Sequence, residues 1–130
     1  MSGMLIGEVA RRTGLRPSTI RFYEKAGLLP RPTRSGGQRR YDEGILPRLA
    51  LLDWAKQCGF TLGEIRELFG KSGETPLSHR MQKLCGQKID ELETLSSRIT
   101  LMRGLLERAQ KCRCMDVQEC GRRILNRRRS

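Results

Sequence analysis

The sequence predicts a mostly α-helical fold: a winged helix-turn-helix domain followed by one long helix that dimerises as an antiparallel coiled coil. Three observations predict it. Two short amphipathic stretches flank a Thr13-Gly14 turn, and a Gly36-Gly37 turn stands between short cation-rich segments. From Leu77 to Leu106 an apolar side chain then recurs every three or four positions, as one stripe of a helix requires. A chain of 130 residues can bury one modest core, or two small ones that share a dimer interface.

Ile6 to Arg12 reads as a first helix with Ile6, Val9 and Ala10 inward, stopped by Thr13-Gly14. Pro17 suits the first turn of a second helix, because its missing N–H costs nothing there, and Gly27 suits the exit. That second helix carries Ser18, Thr19, Ile20, Arg21, Phe22, Tyr23, Glu24 and Lys25, the hydroxyl- and cation-rich character of a helix that enters a major groove. An ordinary αα-hairpin is the alternative. Leu29-Pro30-Arg31-Pro32 breaks the helix, and Ser35 to Tyr41 reads as a hairpin wing. Leu46 to Cys58 is a third helix with Leu49, Leu52 and Trp54 as candidate core, and Cys58 as a structural thiol. Thr61-Leu62-Gly63-Glu64 has capping-box spacing and opens a fourth helix to Phe69. Gly70 to Pro76 forms the linker, giving domain bounds of 1–70, 71–111 for linker and long helix, and 112–130 for a cysteine loop and basic tail.

The long helix has a seam of Leu77, Met81, Cys85, Ile89, Leu92, Leu95, Ile99, Met102 and Leu106, with Lys88, Asp90, Glu91, Glu93, Arg98, Arg103, Glu107 and Arg108 on the other face. At about 1.5 Å per residue it spans on the order of 50 Å, and self-pairing as a coiled coil, parallel or antiparallel, is the simplest way to cover the seam. Cys112, Cys114 and Cys120 follow it in a C-x-C-x5-C pattern. Thiolates this close are the soft ligands of zinc, copper(I), mercury(II) or iron–sulfur clusters. Arg122, Arg123, Arg127, Arg128 and Arg129 read as a solvated tail.

Formal charge of +12 and pI near 10.4 make a polyanion the leading partner. Residues 1–45 hold nine basic against four acidic side chains, so that end is the expected polyanion surface. Aromatics at 5% argue against a large enzyme-like pocket, and a cysteine nucleophile would need a base that His79, the one histidine, is too far along the chain to supply. A coiled-coil adaptor would explain the seam but leave the Arg21-Phe22-Tyr23 and Arg39-Arg40-Tyr41 runs unused. No apolar run reaches membrane-spanning length and no signal-peptide core follows Met1, so a cytoplasmic protein with reduced thiols, and no membrane partner, is expected.

Ile6-Gly7-Glu8-Val9-Ala10 with Gly14, Thr19-Ile20-Arg21-Phe22-Tyr23-Glu24 with Gly27-Leu28-Leu29, Arg39-Arg40-Tyr41, and Gly59-Phe60 with Glu64-Ile65 resemble the MerR family of transcriptional regulators across residues 5–69. The resemblance implies a homodimer on a palindromic promoter whose spacer is too long for RNA polymerase, realigned when an effector distorts the DNA. It implies DNA contacts from Arg16, Ser18, Thr19, Arg21, Tyr23, Arg39, Arg40, Tyr41 and Lys56, with Phe22 in the core. In the metal-sensing branch two loop cysteines and one residue opening the partner's long helix form the site. Cys114 and Cys120 fit the pair, Cys112 is adjacent, His79 stands where the cross-subunit residue falls, and Cys85 lies on the seam. The implied effector is a soft ion, Cu(I), Hg(II), Pb(II) or Zn(II). The Cys114–Cys120 spacing is shorter than in typical mercury or copper regulators, and Gly121 stands where those often have proline. C-x-C-x5-C also resembles the end of the motif in SoxR-like redox sensors, which hold a [2Fe–2S] cluster, although Ala109 stands where those carry a further cysteine.

Overall fold

A computed structural model describes residues 3–70 and 75–129, so residues 71–74 of the expected linker lie outside the described residues. The elements run α1 (Ile6–Thr13), α2 (Pro17–Lys25), β1 (Thr33–Ser35), β2 (Gln38–Arg40), α3 (Ile45–Gln57), α4 (Leu62–Phe69), α5 (Leu77–Ala109) and α6 (Val117–Arg129). They divide into two compact units, Met1–Lys88 and Ile89–Ser130.

The first unit is built as its local chemistry dictates. Gly14 ends α1 in the left-handed region at φ 77°, where it donates to the Ala10 carbonyl. Pro17 opens α2 in its first turn. β1 and β2 pair antiparallel with Arg34 opposite Arg39, joined through Gly36 and Gly37 at φ 60° and 79°, the paired positive values that a two-residue hairpin turn needs. The Thr61 hydroxyl accepts from the Glu64 N–H and the Glu64 carboxylate accepts from the Thr61 N–H, so the capping box forms as read. Val9, Ile20, Leu49, Leu52, Ile65 and Leu68 form the core, closed on one side by Leu84 from the opening turns of α5.

Four expectations change. Trp54 is 39% exposed, because Leu49, Leu52 and Ala55 already fill the inward positions of α3; its ring lies 6.0 Å from that of Phe60. Lys88 is not on the solvated face: it is buried one turn beyond Leu84, with Nζ 2.9 Å from Glu64 Oε1 and 5.4 Å from the Phe60 ring. Cys85, assigned to the dimer seam, is half-buried against the core of the first unit, as is Met81. The basic tail is a helix, α6, and Cys120 sits on its first turn rather than in a loop. The Asp116 carboxylate accepts from the Glu119 N–H at 2.8 Å, an N-cap bond that starts it.

In the second unit Leu92, Leu95, Ile99, Met102 and Leu106 are each about half exposed or more along α5. No helix among the described residues is long and apolar enough to cross a membrane.

Candidate nucleic-acid interface and candidate metal centre

Ile20 and Tyr23 take the buried stripe of α2, which leaves Ser18, Arg21, Phe22 and Lys25 on the outward arc. Phe22 is therefore half exposed rather than core, with the Lys56 ammonium 5.8 Å from its ring centroid. Tyr23 and Tyr41 move the opposite way, at 2% and 1% exposure. Tyr41 is held by reciprocal backbone bonds with Met4 and donates its hydroxyl to Glu24 Oε1 at 2.9 Å. Burial first, then the Glu24 bond, raises its pKa, so the phenol stays a neutral donor. The same Glu24 oxygen lies 3.6 Å from Arg39 Nη1, and this pair of contacts ties the wing to α2. Of the nine residues read as DNA contacts, Arg16, Ser18, Arg21 and Lys56 are exposed, Thr19, Arg39 and Arg40 are half-buried, and the two tyrosines support the surface from beneath.

Arg16 stands at the N-cap of α2 in an extended conformation, its side chain making no cap bond. Arg16 thus stands beside the positive end of a helix, where a phosphate gains from both the guanidinium and the helix dipole, and Arg21 follows further along the outward arc.

In the second unit, α5 ends at Ala109 and α6 restarts at Val117, and the intervening turn folds Cys112 and Cys114 onto Cys120. Their three Sγ atoms lie within 4.8 Å of one another. The Cys114 N–H donates to Cys112 Sγ at 3.4 Å. That backbone bond, aided by the Cys114 thiol and by Arg123, holds the exposed Cys112 below the usual thiol pKa, whereas hydrogen bonding to Cys112 and desolvation push Cys114 up to about 11. The set fits one soft ion, since sulfurs sharing a metal at roughly 2.3 Å stand about 4 Å apart. A [2Fe–2S] cluster takes four ligands, and no further Cys, His, Asp or Glu joins the group among the described residues. Cys85 and His79, on the opening turns of α5, are outside it. Cys58 packs half-buried against the first core, as its structural reading requires.

A family model described as MerR HTH family regulatory protein matches residues 4–71, and one described as MerR, DNA binding matches residues 46–109. The HTH-type transcriptional regulator CueR of Salmonella typhi is 39% identical over 121 residues, covering 90% of this chain and 87% of that one. Among solved structures, the transcription regulator PbrR691 of Ralstonia metallidurans CH34 in complex with lead(II) aligns with a TM-score of 0.70 at 31% identity, covering 89% of this chain and 93% of that one. HiNmlR, a MerR family regulator lacking the sensor domain and bound to promoter DNA, aligns at 0.58 and 26% identity over 84% of each chain. With the helix-turn-helix, the wing and the long helix all matched, the chain belongs to the MerR family of helix-turn-helix transcriptional regulators, and not to a family of enzymes.

Proposed function

We propose that this regulator responds to a soft metal ion: Cys112, Cys114 and Cys120 take the ion, and the first unit holds duplex promoter DNA. The convergence of three sulfurs within 4.8 Å carries the reading. Three thiolates suit a thiophilic divalent ion, Hg(II) or Pb(II), ahead of linear two-thiolate Cu(I) or four-coordinate Zn(II). The lead(II) complex of PbrR691, similar to this chain over most of its length, supports lead(II) among these ions. Arg123, whose charge acts on Cys112, offsets the net negative charge of three thiolates around a divalent ion.

Acting as a homodimer in the cytoplasm, the protein stays on its promoter and changes the shape of the DNA, so that RNA polymerase meets realigned promoter elements. HiNmlR on promoter DNA supports the DNA half of this reading. The energies are compatible. Bending a site costs about 1–6 kcal/mol and a full population switch needs about 5.5 kcal/mol, while thiolate-rich sites bind zinc with roughly 10–16 kcal/mol. Only part of the metal affinity needs to couple to the DNA.

The test is metal analysis and an absorption spectrum of protein purified without oxygen, followed by titration with Hg(II), Pb(II), Cu(I) and Zn(II). One ion per chain with sulfur-to-metal charge-transfer bands, and transcription from the promoter rising at the same stoichiometry, is the expected result. Visible iron–sulfur bands, or no band with any ion, would overturn the metal assignment.

A further inference from the structure

At the base of the wing a cavity of about 420 Å³ opens between the loop after α2, the end of β2 and the first turns of α3. Arg31, Arg40 and Arg48 line it against a single carboxylate, Asp42. Pro30 and Pro32 flank Arg31 and fix the backbone on either side of it. Arg48 is oriented twice over: its Nε donates to the Leu28 carbonyl at 2.7 Å and its guanidinium stacks 4.8 Å from the centre of the Phe69 ring, which leaves the Nη nitrogens for a ligand. Arg31 and Arg40 make no ion pair among the described residues, although Asp42 is close at hand. Three arginines and one acid line a concave cationic site, and planar guanidinium forks are matched to phosphate oxygens.

We propose that this cavity is a phosphate site that seats one backbone phosphate of bound duplex DNA, with Arg31 and Arg48 as contacts beyond those expected from the recognition helix and the wing tip. The proposal rests on the DNA-binding reading above and refines it. The cavity adjoins the wing, and the wing is fastened to α2 by Glu24, so a duplex lying on α2 has a rigid neighbour for its backbone. A phosphate contact positions without reading sequence, so its loss weakens all duplexes alike.

The experiment measures affinity for a random-sequence duplex DNA against salt concentration, for full-length wild type, Arg31→Gln, Arg48→Gln and Arg21→Gln, with thermal melting alongside. Arg31→Gln and Arg48→Gln are each expected to flatten the log–log salt slope by about 0.9, a roughly three- to fourfold smaller loss of affinity between 50 and 200 mM salt. Because Arg48 also braces Leu28 and Phe69 its variant can lose stability, but Arg31 has no such bonds among the described residues, so Arg31→Gln decides. If Arg21→Gln flattens the slope and Arg31→Gln does not, the cavity assignment falls and the DNA-binding reading stands. Absence of duplex binding by wild type removes both. If millimolar inorganic phosphate raises the melting temperature of wild type but not of Arg31→Gln while the DNA slopes are equal, the cavity takes free phosphate and the backbone assignment is overturned.

Discussion

Cys112 and Cys114, two residues apart, are driven in opposite directions by one hydrogen-bonded arrangement. Cys112 receives the Cys114 N–H and is exposed, so its thiolate forms below the ordinary thiol pKa; Cys114 keeps its proton up to about 11. The thiolate is the nucleophile. In metal-free, reduced protein, iodoacetamide should therefore label Cys112 several-fold faster than Cys114 at pH 7.5, read by peptide mass spectrometry; equal rates would contradict the arrangement. A metal ion must displace the proton that Cys114 holds, so apparent affinity should rise with pH through the neutral range and beyond, and fall toward acid. Cys114→Ser and Cys120→Ser should each abolish metal-dependent transcription while leaving promoter binding in gel shift unchanged, because a hydroxyl is a far poorer soft-metal ligand. Cys58→Ser, in the first core, should leave the response intact.

At the level of elements, the junction of α4 and α5 depends on Glu64 Oε1, which accepts both the Thr61 N–H at 2.8 Å and the Lys88 ammonium at 2.9 Å. Thr61→Ala should cost about 1 kcal/mol through the lost cap. Lys83→Ala removes an exposed pair with Glu67 and should stay within about 0.5 kcal/mol, whereas Lys88→Ala should cost several times as much by emptying a buried position. Lys88 bonding, before any other cause, lowers the Glu64 pKa from 4.5. A depressed carboxylate stabilises the fold fully above that value and loses its contribution as pH falls through the folded-state pKa. The melting-temperature gap between wild type and Lys88→Met should therefore narrow below pH 4.5 and stay constant above pH 6. Periodicity and caps made most elements legible in the sequence: the hairpin turn, the capping box and the starts of α2 and α4 follow from two to four residues each. The departures from the sequence expectations share a cause. Polarity places Lys88 on the solvated face, but one turn beyond Leu84 the helix still rests on α4, and position outweighs character. Phe22 and Tyr23 exchanged roles because adjacent helical residues differ by about 100° and only tertiary packing chooses which faces in. The start of α6 was marked by Asp116-Val117-Gln118-Glu119, capping spacing that the arginine run obscured. Of the candidate site, the thiol trio was legible from spacing alone; the cavity at the wing was not, because Arg31 and Arg48 are 17 residues apart and meet only once α3 folds back.

For the whole molecule, the second unit presents Leu92, Leu95, Ile99, Met102 and Leu106 along one stripe of α5, each about half exposed or more. Burying the exposed half of such a side chain contributes roughly 1 kcal/mol, and a two-fold seam counts every residue twice, for on the order of 10 kcal/mol. Association costs about 4–15 kcal/mol in lost freedom. The two quantities are comparable, so the dimer should hold by a margin that one misplaced charge removes. Leu92→Asp or Ile99→Asp would place a carboxylate and its two-fold mate in the seam, and each should weaken dimerisation by several kcal/mol. Sedimentation equilibrium should give a dimer for wild type at micromolar concentration and monomers for both variants. Exposed Glu93→Ala, on the opposite face of the helix, is the control and should sediment as wild type. The first unit has its own core and capped helices, so the Asp variants should keep their helical circular dichroism and lose promoter affinity only through the loss of paired half-sites. A wild-type monomer, or an Asp variant that remains dimeric, would show that another surface joins the copies.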